Sequence, residues 1–162
     1  MTAVDRSKIT FRPIRDDDIA FLAVLYASTR AAEMNLVPWS DEQKQQFVEM
    51  QFRAQTLDYA EHYDTNQFFI IEHGGQPVGR LYLDRQPEDL CIIDITLLPE
   101  LRGAGLGTVL LREILDDAAR GGMTVSIHVE HFNPAMHLYE RLGFKHAATN
   151  GVYHLMRWQA PK

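Results

Sequence analysis

Between Arg102 and Thr108 the chain reads Arg-Gly-Ala-Gly-Leu-Gly-Thr, and the residues that follow, VLLREILDDAAR, have helical apolar spacing. Glycine lets a backbone approach an anion closely because no Cβ intervenes. The N–H groups that a helix start leaves unpaired then point at that anion, and the helix dipole favours its charge. The chemistry on offer is therefore capture of a phosphate-bearing ligand by backbone amides. Spacing narrows the ligand. A dinucleotide turn needs G-x-G-x-x-G directly after a strand, but here the third glycine comes one residue early and Pro99-Glu100-Leu101-Arg102 intervenes. A nucleoside-triphosphate loop needs G-x-x-x-x-G-K-[ST], and no lysine stands nearby. What remains is R-x-x-G-x-G, with Arg102, Gly105 and Gly107 at its fixed positions and Gly103, Ala104, Leu106 and Thr108 around them.

Two apolar segments flank this loop and carry polar residues where a covered parallel sheet would have none. Leu90–Leu98 contains Asp94 and Thr96; Thr124–Val129, extended by one residue, contains Ser126, His128 and Glu130. Side chains alternate along a strand, so Val125, Ile127 and Val129 share one face and Ser126, His128 and Glu130 the other. In the first segment the same rule groups Cys91, Ile93, Ile95 and Leu97 against Leu90, Ile92, Asp94, Thr96 and Leu98. Partly shielded polar groups of this kind are where acids and bases with shifted pKa values gather. A solvent-facing sheet side or a satisfied polar cluster would give the same pattern. His128 titrates in the range useful to a base, Asp94 is a second candidate, and Glu130 and Glu33 are candidates for binding a positive charge.

The stretch Asn133-Pro134-Ala135-Met136-His137-Leu138-Tyr139-Glu140-Arg141-Leu142-Gly143-Phe144 reads, on physics alone, as a short amphipathic helix with Tyr139 toward the core. Together with the glycine block it resembles the two signatures of the GNAT superfamily of N-acetyltransferases, in the right order, from about Gln67 to Phe144. The resemblance implies acetyl-CoA as acyl donor, bound by Arg102 to Thr108, and direct transfer of the acetyl group to an amine. It implies that backbone N–H near Leu97 and Leu98 polarises the thioester carbonyl where the strand splays from its neighbour. It also implies that Asn133 helps hold the cofactor's arm and that Tyr139 lies near the sulfur. A phenol with pKa about 10 is then able to protonate a departing thiolate, with His128 or Asp94 as the base. Transfer of a longer acyl group, and a CoA-binding sensor without turnover, are the rival readings.

These residues need elements to hold them. Lys8–Ile14 alternates as a first strand. Arg15 to Asp18 supplies N-cap candidates for a helix over IAFLAVLYASTRAAE, and Ser40 with Gln43 has capping-box spacing for a second helix from about Asp41 to about Thr56. Asp58 to Asn66 reads as a short helical piece and a turn. Strands follow at Gln67–Glu72 and Pro77–Asp84 around His73-Gly74-Gly75-Gln76. Strand Leu90–Leu98, the helix after the glycines and strand Thr124–Val129 make a right-handed crossover, so those two strands run parallel. A helix from Asn133 to Gly143 and a hairpin about Asn150-Gly151 close the chain. The expected fold is α/β (α+β): one domain over 1–162, with a mixed sheet of about seven strands flanked by about four helices. Its cofactor-binding core covers about 67–144 and its acceptor-shaping helices about 16–63, where Tyr26, Arg30, Glu33, Met34 and Trp39 could line a pocket.

Composition bounds the rest. A chain of 162 residues with 46% hydrophobic and 23% charged residues suits one soluble globular domain. Its 22 acidic against 16 basic residues give a formal net charge of −6, which disfavours nucleic acid and anionic membrane and suits a cationic or amine substrate. Cys91 is the one cysteine, read as a buried small hydrophobe, so no internal disulfide forms. The first residues lack a signal-peptide core and no stretch reaches membrane-spanning length, which points to the cytoplasm. His128-x-x-His131 lacks further ligands, so no metal is expected. The acceptor is a small-molecule amine or a peptide amine, and a homodimer is compatible with the family.

Overall fold

The computed structural model describes residues 4–130 and 133–161, so His131 lies outside the described residues. In chain order the elements are β1 (Ile9–Pro13), α1 (Ile19–Met34), α2 (Asp41–His62), β2 (Phe68–His73), β3 (Gln76–Arg85) and β4 (Asp89–Leu97). There follow α3 (Leu106–Arg120), β5 (Thr124–Glu130), α4 (Ala135–Arg141), β6 (Lys145–Asn150) and β7 (Tyr153–Trp158). The strands form one seven-stranded sheet in the order β1-β2-β3-β4-β5-β7-β6. Among the described residues only β4 and β5 are parallel, joined through α3 as a crossover requires. Among the described residues no helix is long and apolar enough to cross a membrane.

Each sheet face has its own core. Leu106, Leu110, Leu111 and Leu115 recur along one side of α3 and bury against Ile71, Leu81, Leu83, Ile92, Val125, Ile127 and Val129, with Tyr139 of α4 and Phe144 beside them. On the other face Leu22 and Tyr26 of α1 and Val48 and Phe52 of α2 pack on Phe68, Ile70, Tyr82, Cys91 and Ile93. Each fully buried leucine is worth about 2 kcal/mol of transfer free energy. The α3 stripe is thus enough to fix that helix, and with it the loop before it.

Three local expectations change. Asp16 to Asp18 form a short 3-10 turn instead of capping α1, because the Asp18 carboxylate accepts from the Arg15 N–H at 2.7 Å and takes both terminal nitrogens of Arg12 at 2.8 Å. The α2 helix does not stop near Thr56. It runs to His62 because nothing breaks it and because Tyr59 gains edge contacts with Phe68, Tyr82 and Tyr63.

The third change lies in β4. Against β3, Leu83 pairs with Ile92 but Tyr82 pairs with Asp94, so Ile93 is an extra, bulged residue. A bulge shifts the side-chain phase by one and bends the strand. Cys91, Ile93, Ile95 and Leu97 therefore do not share a face: Cys91 and Ile93 pack with α1 and α2, whereas Leu97 and Ile95 pack with α3. The same shift carries Asp94 and Thr96, opposite Tyr82 and Arg80, onto the α1/α2 face.

Asp18 is 5% exposed and Arg12 also binds Glu72 at 2.9 Å, so this cluster locks β1, β2 and the entry to α1. The Arg12 bond holds the Asp18 carboxyl below its usual 3.8. A carboxyl whose folded pKa is depressed stabilises the fold above its unfolded pKa, and that stability is lost as pH falls through the folded value. Arg12→Ala, which strands a buried carboxylate, should cost about 3 kcal/mol at pH 7. Urea melts should show the deficit narrowing below about pH 4.

Candidate active site

The parallel ladder between β4 and β5 is short, ending at Ile92 opposite Ile127. Beyond that pair β4 bends away at its bulge while β5 continues along β7, and a cleft of about 1360 Å³ opens between them. That exceeds the usual range of small-ligand pockets, roughly 300–1,000 Å³, and leaves room for two substrates.

At one end of the cleft stands the glycine loop. The first N–H bond of α3 runs from Val109 to the Gly105 carbonyl, which leaves the amides of Gly105, Leu106, Gly107 and Thr108 as the helix's unpaired donors. Gly103 and Gly105 have φ of 81° and 83°, which side chains avoid, and a Cβ on either would project into open space. These are the features of a backbone anion cradle. Gly103, Gly105, Gly107, Thr108 and Arg102 line the cleft; Ala104 and Leu106 do not, and Leu106 is core. The Arg102 side chain turns back, its Nε donating to the Leu97 carbonyl at 3.0 Å and its Nη2 to Ser28 Oγ at 3.0 Å.

Midway, the backbone of β4 faces a missing neighbour. The Leu98 N–H donates to the Val78 carbonyl at 2.8 Å, so that pair bonds toward β3. Antiparallel ladders alternate, so the N–H and C=O of Leu97, opposite Gly79, turn the other way into the cleft. Leu97 therefore offers an N–H there and Leu98 does not. Across from it stand Leu138, Tyr139 and Asn133. Asn133 Oδ1 accepts the Ala135 N–H at 2.9 Å, fixing the start of α4 and leaving the amide NH2 as donor. Tyr139 is 6% exposed; burial, reinforced by the charge of Asp94, pushes its phenol well above the ordinary value.

At the far end are the polar residues. Asp94 Oδ2 accepts from Arg80 Nε at 2.5 Å and from Thr96 Oγ1 at 2.8 Å, while Arg80 Nη2 reaches Gln55 of α2 at 2.9 Å. His128 opens onto the cleft, exposed, with Nδ1 3.9 Å from Cys91 Sγ, and partial desolvation there lowers its pKa from 6.5. Glu130 binds Arg30 of α1 at 3.2 Å, and Arg30 binds Glu33 at 3.1 Å. Cys91 is buried, and burial raises its thiol pKa. Among the described residues no three His, Cys, Asp or Glu side chains converge as metal ligands.

A family model described as the acetyltransferase (GNAT) family matches residues 28–144, which include the loop, both diverging strands and α4. The chain belongs to the GNAT acetyltransferase family. An uncharacterized N-acetyltransferase of Methanocaldococcus jannaschii is 34% identical over 91 residues, a match covering 51% of this chain. The chain spans 40% of that curated relative's length. The PaiA N-acetyltransferase of Thermoplasma acidophilum, solved with coenzyme A, superposes with a TM-score of 0.68 at 18% identity, covering 94% of this chain and 99% of that one. Naa50 of Arabidopsis thaliana, solved with the bisubstrate analogue CoA-Ac-MVNAL, gives 0.60 at 16% identity over 94% and 99%. At these identities the solved structures share the fold.

Within this GNAT domain, Arg30 and Glu33 line the cleft, whereas Tyr26 is buried on Phe52 and Trp39 packs edge-on against Phe47 away from it. Sequence reasoning missed Arg80, Gln55, Tyr59 and Tyr153, which all line the cleft. Arg80 had a signal, a lone charge inside the apolar strand VGRLYL. Gly79 was missed as well. A Cβ there would stand 2.4 Å from the Thr96 carbonyl oxygen and 2.9 Å from a Leu97 methyl, so only glycine lets β3 approach β4 this closely. Gly79→Ala should destabilise the protein by about 1–3 kcal/mol through backbone displacement at Thr96 and Leu97, read by chemical denaturation.

Proposed function

We propose that the protein is an acetyl-CoA-dependent N-acetyltransferase that transfers the acetyl group directly to a primary amine. The observation that carries this reading is the Leu97 N–H turned into the cleft, between an amide cradle suited to a diphosphate at one end and polar side chains suited to an amine at the other. In this reading the amides from Gly105 to Thr108 hold the diphosphate, Gly103 keeps the approach open, and Asn133 donates to the pantetheine arm. The Leu97 N–H stabilises the charge that develops on the thioester oxygen, a preorganised donor of the kind that supplies several kcal/mol. The amine's lone pair forms the C–N bond and the C–S pair leaves with sulfur. His128 accepts the proton from nitrogen, and Tyr139 gives one to the thiolate.

The local electrostatics support the division of labour. Burial keeps Tyr139 protonated and so able to hydrogen-bond the departing sulfur, although the same shift makes its phenol a weaker acid than the thiol it would protonate, and the lowered pKa of His128 favours the neutral ring that a base needs. Asp94 is less suited to accept the proton, because its Oδ2 is already engaged by Arg80 and Thr96.

Acetyl-CoA consumption, followed by thiol release over a panel of amines, tests the reading; no turnover and no CoA binding with the fold intact would end it. Gly105→Val should weaken CoA by at least about tenfold in calorimetry, because valine strains the φ of 83° and fills the cradle. The kcat of the wild type at saturating amine should fall on the acid side with an inflection below 6.5. His128→Ala should lower kcat by about 10²-fold and abolish that inflection.

A further inference from the structure

We infer that two copies of the chain associate about a two-fold axis through the outer face of α2, Leu57 of each seated in the groove beside Trp39 of the other. A surface helix ordinarily has one apolar face, and α2 has two. Val48 and Phe52 are buried against α1 and the sheet. Helical spacing puts Phe47, Met50, Ala54 and Leu57, at i, i+3, i+7 and i+10, on a second stripe nearly opposite them. Met50 is 59% and Leu57 72% exposed, Ala54 is exposed and Phe47 is half-buried, so among the described residues the stripe is largely uncovered. One exposed leucine is ordinary on a surface; a contiguous stripe with heptad spacing marks a helix-pairing face.

The stripe is complementary to a copy of itself. Its first turns carry a groove of about 340 Å³ lined by Gln43, Gln46, Phe47 and Met50, with Trp39 at its end. Residues at i, i+3, i+4 and i+7 of one helix are the four sides of a hole that takes a knob from a facing helix. Trp39 packs edge-on against Phe47 at 5.2 Å, which fixes that end of the groove. Leu57, the most exposed large residue of the stripe, stands about 15 Å further along the helix axis. A two-fold axis perpendicular to α2 at the level of Phe52 exchanges the two features. It carries Leu57 of each copy into the groove of the other and sets Met50 against Ala54 in the layers between. A parallel pairing in register would instead set Leu57 against Leu57 and leave both grooves unfilled. The charges agree with the antiparallel register. Along one flank it brings Lys44 of each copy beside Asp58 of the other, whose side chain is 63% exposed. On the other flank Arg53 meets its counterpart near the axis, each with Glu49 one turn away on its own helix to offset the repulsion. Such an isologous contact uses up the patch and closes at two copies. Asp58 also lines the cleft, with Gln55 and Tyr59. Pairing therefore places Lys44 of the second copy at the cleft rim and braces the helix that carries these residues.

Sedimentation equilibrium of the full chain at micromolar concentrations should show a dimer. Leu57→Glu sets a carboxylate in the apolar groove of each partner and should raise the dimer dissociation constant at least about 10²-fold, with circular dichroism reporting an intact fold. Met50→Glu, on the same stripe, takes its place if that variant does not fold. Val24→Glu, at a 62% exposed position of α1 away from the stripe, should leave the dimer as it is. Cross-linking reads the register. Met50→Cys protein mixed with Ala54→Cys protein should form a disulfide-linked dimer faster under mild oxidation than either variant by itself, the native Cys91 being buried. A monomer throughout, an assembly larger than two, or a dimer that the glutamate variants leave intact would overturn the inference. So would cross-linking as fast in the separate variants as in the mixture. The acetyl-transfer reading stands or falls independently of these outcomes.

Discussion

The structure depends on a constraint of the sheet ladder: β4 and β5 cannot both pair with each other and follow their outer partners past Ile92 and Ile127. The bulged Ile93 resolves it in favour of the outer partners. One inserted residue ends the parallel ladder, bends β4, moves Asp94 and Thr96 to the α1/α2 face and delivers Leu97 to the α3 core. Backbone groups left without a strand neighbour are costly unless something satisfies them. Here the Leu97 carbonyl is met by Arg102, while its N–H, on the side β5 has left, is the group that the proposed function assigns to the thioester oxygen.

The large apolar bodies on the two faces make that opening sustainable. The α3 leucines pack on one face of the sheet behind the glycine loop, while Tyr26, Val48 and Phe52 pack on the other. A cleft between two strands weakens a sheet. It is tolerated because both cores close its walls, Leu97, Leu111 and Ile127 from one and Ile93 from the other, and because Gly79 keeps β3 tight against β4 where β5 has left.

Much of this was legible in the chain. The glycine block, the α3 stripe, the Ser40–Gln43 box and the Asn133 helix start are local patterns whose physics is complete within a few residues, and the structure has each where its pattern points. What was not legible depends on pairing across distance. Strict alternation put Ile95 and Leu97 with Cys91, and only the register of β4 against β3 reveals the phase break at Ile93. The end of α2 was misread for a similar reason, since Tyr59 is helical through contacts with Phe68 and Tyr82 on strands later in the chain. Arg80 and Gln55 belong to the cleft through a bond between β3 and α2 that no local motif announces.

The closing hairpin has a consequence of a different kind. Every residue of β6 is exposed, and the strand is anchored by its ladder to β7, yet Ala148 and Asn150, with Tyr153 of β7, line the cleft. Side chains that contribute so little to the core can be exchanged at almost no energetic penalty, while the cradle and the Leu97 amide stay as they are. The domain thereby keeps its glycine loop and this wall on mechanically separate parts, so substitutions along one edge can reshape one end of the cleft and leave the other as it is.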